Sequence, residues 1–347
     1  MTRAVDRLID ANGNRAAEGL RVLEDVARFL LDDALLGELA KTHRHAVRAA
    51  IPPTAIAARD TAGDVGTTIT ASDEMRRARL VDLVRANAAR VQEALRTCEE
   101  ALKLTGQSAA AAALEAARYA VYRLETGLLA RLPAWRLYQV RLYALVDTSL
   151  TDDPVRVAGA VARGGAGAVQ LRAKGLDQRA YHDLAQRVQE ATRAGGALFV
   201  VNDHVAVARA IGADGVHVGQ GDLAIADTRM VVGPGCAVGL STHTPEQVVA
   251  GLEAGADYLG LGPMFATNTK PHEPERGPAL LDAVRERLRS PQGRPSYAIG
   301  GLDRDRITAL RSRLPHGVAV AAALCRAPDP ERAAAELLLV LDPDEFA

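Results

Sequence analysis

Between residues 136 and 347 the chain carries eight short apolar runs, and helical patterns fill the gaps between them. The runs are Leu142–Val146, Ala168–Leu171, Ala197–Val201, Gly215–Val218, Cys236–Leu240, Tyr258–Leu261, Tyr297–Ile299 and Val318–Ala321. Runs this short and this continuously apolar suit strands buried on both faces. Alternating with helices, they predict a parallel sheet in an α/β fold. Eight such units fit a closed (β/α)8 barrel, the TIM barrel, although an open doubly wound sheet follows the same alternation.

Polar residues gather where these runs end. In order they are Asp147, Arg172 with Lys174, Asn202 with Asp203, Gln220 with Asp222, Ser241 with Thr242, Thr267 through Lys270, and Gly300-Gly301. In a barrel the carboxyl ends of the strands converge on one rim, which is where this architecture builds active sites. The segment Gly262–Lys270 is the most telling: a strand runs into a Gly-Pro turn, two hydroxyls and a lysine. Donors and a positive charge in one loop suit an anionic, phosphorylated ligand. Lysine is also scarce, at four of 42 basic residues. Its compact ammonium fits a point-charge role that a planar guanidinium does not, which singles out Lys174 and Lys270. Gly300-Gly301 and Ala321-Ala322-Ala323 follow the seventh and eighth runs, where barrels commonly hold phosphate through backbone N–H groups.

Residues 1–132 read as an all-helical domain. Leu20, Leu23, Ala27 and Leu30 repeat at helical spacing, and Leu132-Pro133 marks the break before the barrel domain at 136–347. An internal duplication is visible at an offset of 75: Asn12, Arg15, Glu18, Leu20, Arg21 and Glu24 match Asn87, Arg90, Glu93, Leu95, Arg96 and Glu99. With a one-residue slip, Arg44-His45-Ala46-Val47 matches Arg118-Tyr119-Ala120-Val121. In each copy one charge order falls on a single helix face: Glu18, Arg21, Asp25, Arg28 and Glu93, Arg96, Glu100, Lys103. Either a salt-bridged solvent face or a binding surface accounts for it. The Asp/Gly/Thr-rich stretch Arg59–Thr68 joins the copies, as a turn-rich connection or as a loop for a metal-bound phosphate.

Composition narrows the partners. Net charge is −1 and aromatics are 3% of 347 residues, which argues against nucleic acid and an anionic membrane surface. No apolar run has membrane-spanning length, and Met1–Asp6 lacks the apolar core of a signal peptide. Three cysteines without a CxxC pair oppose a disulfide framework and a Cys-zinc site. The expectation is a cytoplasmic protein acting on small molecules, with homo-oligomerisation left open.

Taken as a set, the segments Gln170–Lys174, Val201–Asp203, Gly215–Asp222, Gly239–His243, Gly262–Lys270 and Ala298–Gly301 resemble thiamine-phosphate synthase, from about Arg141 to Leu338. That family joins a pyrimidinylmethyl diphosphate to a thiazole phosphate, releasing diphosphate. The resemblance implies that Gln170, Leu171, Arg172, Ala173 and Lys174, with Asn202, hold the pyrimidine and its diphosphate. It implies that Asp203 and Asp222 ligate Mg²⁺, and that Ser241 and Lys270 complete the diphosphate site. Arg172, Lys174, Ser241 and Lys270 would then be the catalytic set. Thr267, Asn268 and Thr269, with Gly301, Ala321 and Ala322, would take the thiazole phosphate. Two departures stand out: the family usually has Glu at Ala173 and commonly Ser near Ala322. His217, His243 and His272 lack zinc spacing, and His217 fits the barrel interior better.

The helical domain is similar to one fused to this synthase in some bacteria and associated with hydroxymethylpyrimidine-phosphate kinase activity, although it has no P-loop. An oligomerisation scaffold is the alternative for that domain. A thiazole tautomerase-like or ligand-sensing barrel is the alternative for the other, and neither of these needs a diphosphate–Mg²⁺ site.

Overall fold

The structure, a computed structural model, describes residues 2–60, 80–266, 277–290 and 293–341. Its chain divides into two compact units, Met1–Leu132 and Pro133–Ala347.

The first unit is helical. Helix α1 (Thr2–Asp25) runs into a π-helical turn (Val26–Leu30), followed by α2 (Ala34–Ala50), the short α3 (Pro53–Ala57), α4 (Leu80–Leu104) and α5 (Ser108–Ala130). Helix α1 packs on α2 and α4, and α5 packs on both α2 and α4. Leu20, Leu23 and Ala27 are fully buried, whereas Leu30 is exposed. The wider π turn rotates the last residues off the helical stripe.

Two buried carboxylates tie the helix pairs together. Glu24 accepts from Arg44 Nε at 2.9 Å, and Glu99 accepts from Arg118 Nε at 2.6 Å and Nη2 at 3.3 Å. Both glutamates are essentially inaccessible, and each also takes an arginine from its own helix, Arg28 and Arg96. Of the charges expected on one face, Arg21 pairs with Asp25, and Glu100 with Arg96 and Lys103, as surface ion pairs. The charge that holds the bundle lies one position inside that pattern. Arg59 makes a bidentate contact of 2.7 Å and 2.7 Å to the carboxylate of Asp10. Most of the loop that follows, Thr61–Thr68, lies outside the described residues.

The second unit opens with α6 (Pro133–Arg136) and a 3-10 turn. The strands are β1 (Leu142–Asp147), β2 (Ala168–Arg172), β3 (Leu198–Asn202), β4 (Gly215–Val218), β5 (Ala237–Thr242), β6 (Tyr258–Leu261), β7 (Ser296–Ile299) and β8 (Gly317–Val320). All are parallel and close in sequence order, β8 pairing back onto β1, so the sheet is a barrel and not an open doubly wound sheet. The intervening helices are α7 (Pro154–Arg163), α8 (Gln178–Ala194), α9 (Val205–Ala210), α10 (Ile225–Val232), α11 (Pro245–Glu253), α12 (Gly277–Arg289) and α13 (Arg304–Leu310). After β8 come α14 (Ala322–Cys325) and α15 (Pro330–Leu341). Side-chain caps fix several of these helix starts: Asp153, Asp177, Thr244, Asp303 and Asp329 each accept from the N–H three residues on.

Alternation along the strands makes two cores. Val169, Leu171, Phe199, Val201, Val216, Val238 and Leu259 point outward under the helices. Tyr143, Leu145, Ala168, Leu198, Val200, Tyr258 and Tyr297 fill the barrel interior. All three cysteines are free and buried, and burial pushes the Cys98 and Cys236 thiols up to about 12, which fits packing and not reactivity. Removing one partner of a buried pair leaves the other charge stranded. Glu99→Ala is therefore expected to destabilise the helical unit by about 3 kcal/mol in urea unfolding, while a paired Glu99→Leu, Arg118→Met change recovers most of that loss.

Candidate active site

Alternate residues that point inward must fill the barrel or line its mouth. At the carboxyl ends they turn polar, around a cavity of about 630 Å³. Its floor is a cluster of tyrosines, Tyr143, Tyr258 and Tyr297, with ring centroids 5.2 to 5.9 Å apart. Burial raises the pKa of all three phenols, so they are neutral hydrogen-bonding groups. Glycine makes room for this floor. A Cβ on Gly239 would stand 2.1 Å from Tyr258 Cζ, so no larger residue fits beside that ring.

Above the floor, the ends of β1 to β5 supply charge. Arg172 Nη1 meets Asp147 Oδ2 at 2.5 Å, and Asp147, itself buried, also accepts from the N–H and hydroxyl of Ser149. Lys174 Nζ meets Asp203 Oδ2 at 2.5 Å. Asp203 adopts φ +61°, a left-handed backbone uncommon outside glycine, placed at the rim just after β3. Asp222 accepts from the backbone N–H of Gly219 at 2.7 Å, and Gln220 donates to the carbonyl of Ser241 at 2.6 Å. His217 joins Ser241 Oγ at 2.9 Å and the Tyr258 hydroxyl at 3.2 Å. His243 Nδ1 donates to the Gly262 carbonyl at 2.6 Å, so that ring is oriented by backbone.

The ends of β7 and β8 form a different sector of the rim. Gly300 and Gly301 both have positive φ, +104° and +61°, and a Cβ on either would strike backbone of residues 263–266 at 2.7 Å. The guanidinium of Arg306 stacks 4.7 Å above the Phe265 ring and donates to the Gly301 carbonyl. Arg326 and Ala321–Ala323 complete this wall.

Of the residues singled out from sequence, Gln170, Arg172, Lys174, Asn202, Asp203, Asp222, Ser241, Gly301, Ala321 and Ala322 all line this one cavity. Leu171 and Ala173 do not. Both are buried in the outer core because they sit at the opposite parity of β2 and its extension, so their side chains face helices. Any role of theirs at the ligand is through backbone, and the missing carboxylate at Ala173 leaves no gap in the cavity wall. Thr267, Asn268, Thr269, Lys270 and His272 lie outside the described residues. Tyr143, Tyr258, Arg306 and Arg326 line the site without having been singled out. Arg306 sits on α13 beyond β7 and Arg326 directly follows α14 beyond β8, where an exposed arginine reads as ordinary surface.

Among the described residues, no three His, Cys, Asp or Glu side chains gather as a ready metal cage. Asp203 and Asp222 on the same cavity are nonetheless a fitting pair for Mg²⁺. This ion is usually held by one or two carboxylates, with ligand phosphates and water completing its shell.

A parallel eight-stranded barrel whose rim gathers two arginine-bearing walls, a lysine and two carboxylates around one cavity is a barrel enzyme for an anionic small molecule. Known proteins make this specific. The sequence profile of the Thiamine monophosphate synthase family matches residues 142–324, and that of the ThiD2 family matches residues 7–127. A thiamine-phosphate synthase of Gloeobacter violaceus is 42% identical, covering 97% of this chain and 96% of its own; one from a Synechocystis species is 40% identical with the same coverage. The solved structure of thiamine phosphate pyrophosphorylase from Pyrococcus furiosus superposes with a TM-score of 0.54 at 30% identity, over 60% of this chain and 98% of its own. The chain belongs to the thiamine-phosphate synthase family; it is a transferase of thiamine biosynthesis acting on small molecules.

The Gly239 contact generates a direct check. Gly239→Ala should lower stability by about 2 kcal/mol through overpacking against Tyr258, measured by thermal unfolding. Gly260→Ala, whose Cβ would make only ordinary contacts, 3.5 Å to His217 and 3.9 Å to Ser241 Cα, should cost far less.

Proposed function

We propose that the cavity carries out a dissociative substitution between a pyrimidinylmethyl diphosphate and a thiazole phosphate, or its carboxylated precursor, with Mg²⁺ held by Asp203 and Asp222. The observation that carries this reading is that one cavity gathers two separate anion-holding sectors: Arg172, Lys174 and Ser241 on one, the Gly300-Gly301 backbone with Arg306 and Arg326 on the other. A tautomerase or a sensor has no need of the first sector.

The leaving group is diphosphate, and its departure requires that its growing charge be met. Mg²⁺, when bound, neutralises part of that charge. Arg172 and Lys174 contribute fixed positive charge from β2, Ser241 a hydroxyl donor from β5, and Lys270 a further ammonium. As the carbon–oxygen bond breaks, the pyrimidine methylene becomes cationic and is stabilised by the ring's own amino group. The thiazole nitrogen then forms the new carbon–nitrogen bond. No protein nucleophile takes part, in keeping with the buried, unreactive thiols. Gln170 and Asn202 orient the pyrimidine. The backbone of Gly301, Ala321 and Ala322, with Thr267, Asn268 and Thr269, holds the thiazole phosphate, and Arg306 supplies charge beside the stretch near Ala322 where the family commonly has a serine.

For the helical unit we infer a pyrimidine-phosphate kinase that makes the diphosphate substrate, supported by the ThiD2 match; the competing reading is a scaffold. We also read it as a duplicated unit, because the buried pairs Glu24–Arg44 and Glu99–Arg118 occupy matching places in the two sequence copies. A cytoplasmic location fits the three unpaired thiols.

Purified full-length protein with thiazole phosphate and MgATP tests both units. Thiamine phosphate should form from pyrimidine diphosphate, and Lys174→Ala should reduce kcat about a hundredfold, the usual loss of one preorganised charge. Arg306→Ala should raise KM for thiazole phosphate about tenfold with kcat nearly unchanged. No product from the diphosphate refutes the synthase reading of this site. Product from the monophosphate as well, lost in Arg21→Ala and Arg96→Ala while oligomeric state holds, supports the kinase. Loss of assembly in those variants supports the scaffold instead.

A further inference from the structure

A continuous hydrogen-bond chain crosses the barrel floor and joins two residues from different strands of the site. Gln170 Nε2 donates to the Tyr143 hydroxyl at 2.9 Å, and the Tyr143 and Tyr258 hydroxyls lie 3.1 Å apart. Tyr258 meets His217 Nδ1 at 3.2 Å, and His217 Nε2 meets Ser241 Oγ at 2.9 Å. Its members come from β1, β2, β4, β5 and β6.

The chain has a direction. Because Gln170 donates to Tyr143, the Tyr143 hydrogen needs another acceptor, and the Tyr258 oxygen is the one within reach. Were Tyr258 to donate back, a buried hydroxyl hydrogen would be stranded, which is costly. The Tyr258 hydrogen therefore goes to His217 Nδ1. A neutral imidazole that accepts at Nδ1 carries its hydrogen on Nε2, and that hydrogen goes to Ser241 Oγ. The Ser241 hydroxyl hydrogen is thus turned away from His217 and toward the cavity. At the far end, one N–H of the Gln170 amide is committed to Tyr143, which fixes the amide's orientation and leaves its carbonyl oxygen to accept from a ligand.

We propose that this relay couples the two ends of the site: Tyr258 and His217 are positioning residues that hold Ser241 as a donor to an anion while Gln170 is held as an acceptor for a ligand N–H. The reverse direction would turn Gln170 into a donor and point Ser241 back at His217, reversing both ends together. A ligand carrying an N–H donor at one end and an anionic acceptor at the other is read as a unit, and either half alone forfeits the mutual support. The proposal rests on the reading that Ser241 faces the diphosphate of the pyrimidine substrate.

Two measurements test it. In ligand-free, ¹⁵N-labelled full-length protein at about pH 8, above the usual imidazole range, His217 should carry its proton on Nε2. A proton on Nδ1 would overturn the assigned direction, whatever the protein catalyses. In steady-state assays, Tyr258→Phe should lower kcat/KM for the pyrimidine diphosphate about tenfold, and should have little further effect in a Ser241→Ala background. The same dependence is expected of His217→Ala, which serves if Tyr258→Phe folds poorly. A Tyr258→Phe loss that persists undiminished without Ser241, or no loss at all, would sink the coupling. Absence of synthase activity in the parent protein strikes the reading of the site instead, and the imidazole proton then decides the relay.

Discussion

Everything in the barrel follows from the parity of its strands. Closing eight parallel strands commits every second residue to an interior that water cannot fill, and the others to a layer roofed by helices. The inward set must therefore be apolar and close-fitting at one end and chemically useful at the other. This chain meets the demand with tyrosines whose rings pack like core; the Tyr143 and Tyr258 hydroxyls share hydrogen bonds with Gln170 and His217, while that of Tyr297 donates to the Leu137 carbonyl. Gly239 is part of the same bargain: the place of Tyr258 exists because its neighbour on β5 has no side chain.

Parity also explains what could and could not be read from sequence. The eight runs were legible because strands covered on both faces are apolar throughout, and each overlaps a strand of the structure. Residues at the run ends, from Arg172 to Asp222, were legible because polar groups interrupt an otherwise apolar grammar there. Inside the runs that contrast vanishes. Nothing in one dimension tells that Tyr143, Tyr258 and Tyr297 meet, or that Leu171 and Ala173 face away from the cavity while Gln170 and Arg172 line it. Arg306 was hidden for the opposite reason, since an arginine on an exposed helix is what a surface normally looks like.

The helical unit carries a similar lesson. Its repeated charges left open a solvated face or a binding surface, and Arg21, Asp25, Arg96, Glu100 and Lys103 form surface ion pairs. Glu24 and Glu99, adjacent in the same segments, are instead buried and bridged to the next helix. Sequence spacing places a residue on a helix; only the packing of a second helix decides whether its carboxylate meets water or an arginine. Buried ion pairs are often no more stable than apolar substitutes, so their presence in both helix pairs, α1 with α2 and α4 with α5, speaks for specificity of helix pairing.

The two cations of the β2 rim are each already held by a carboxylate, Arg172 by Asp147 and Lys174 by Asp203. The resting cavity is therefore close to internally neutral in this sector, and ligand capture there is an exchange of partners more than a gain of new ones. An arriving anion competes with Asp203 for the ammonium, and an arriving divalent cation competes with the ammonium for Asp203. Each exchange alone strands a charge; the two together leave none. On the proposed reading of the site, this ion pair would act as a lock opened by a matched pair of ions, a metal–diphosphate complex opening it more readily than either component alone.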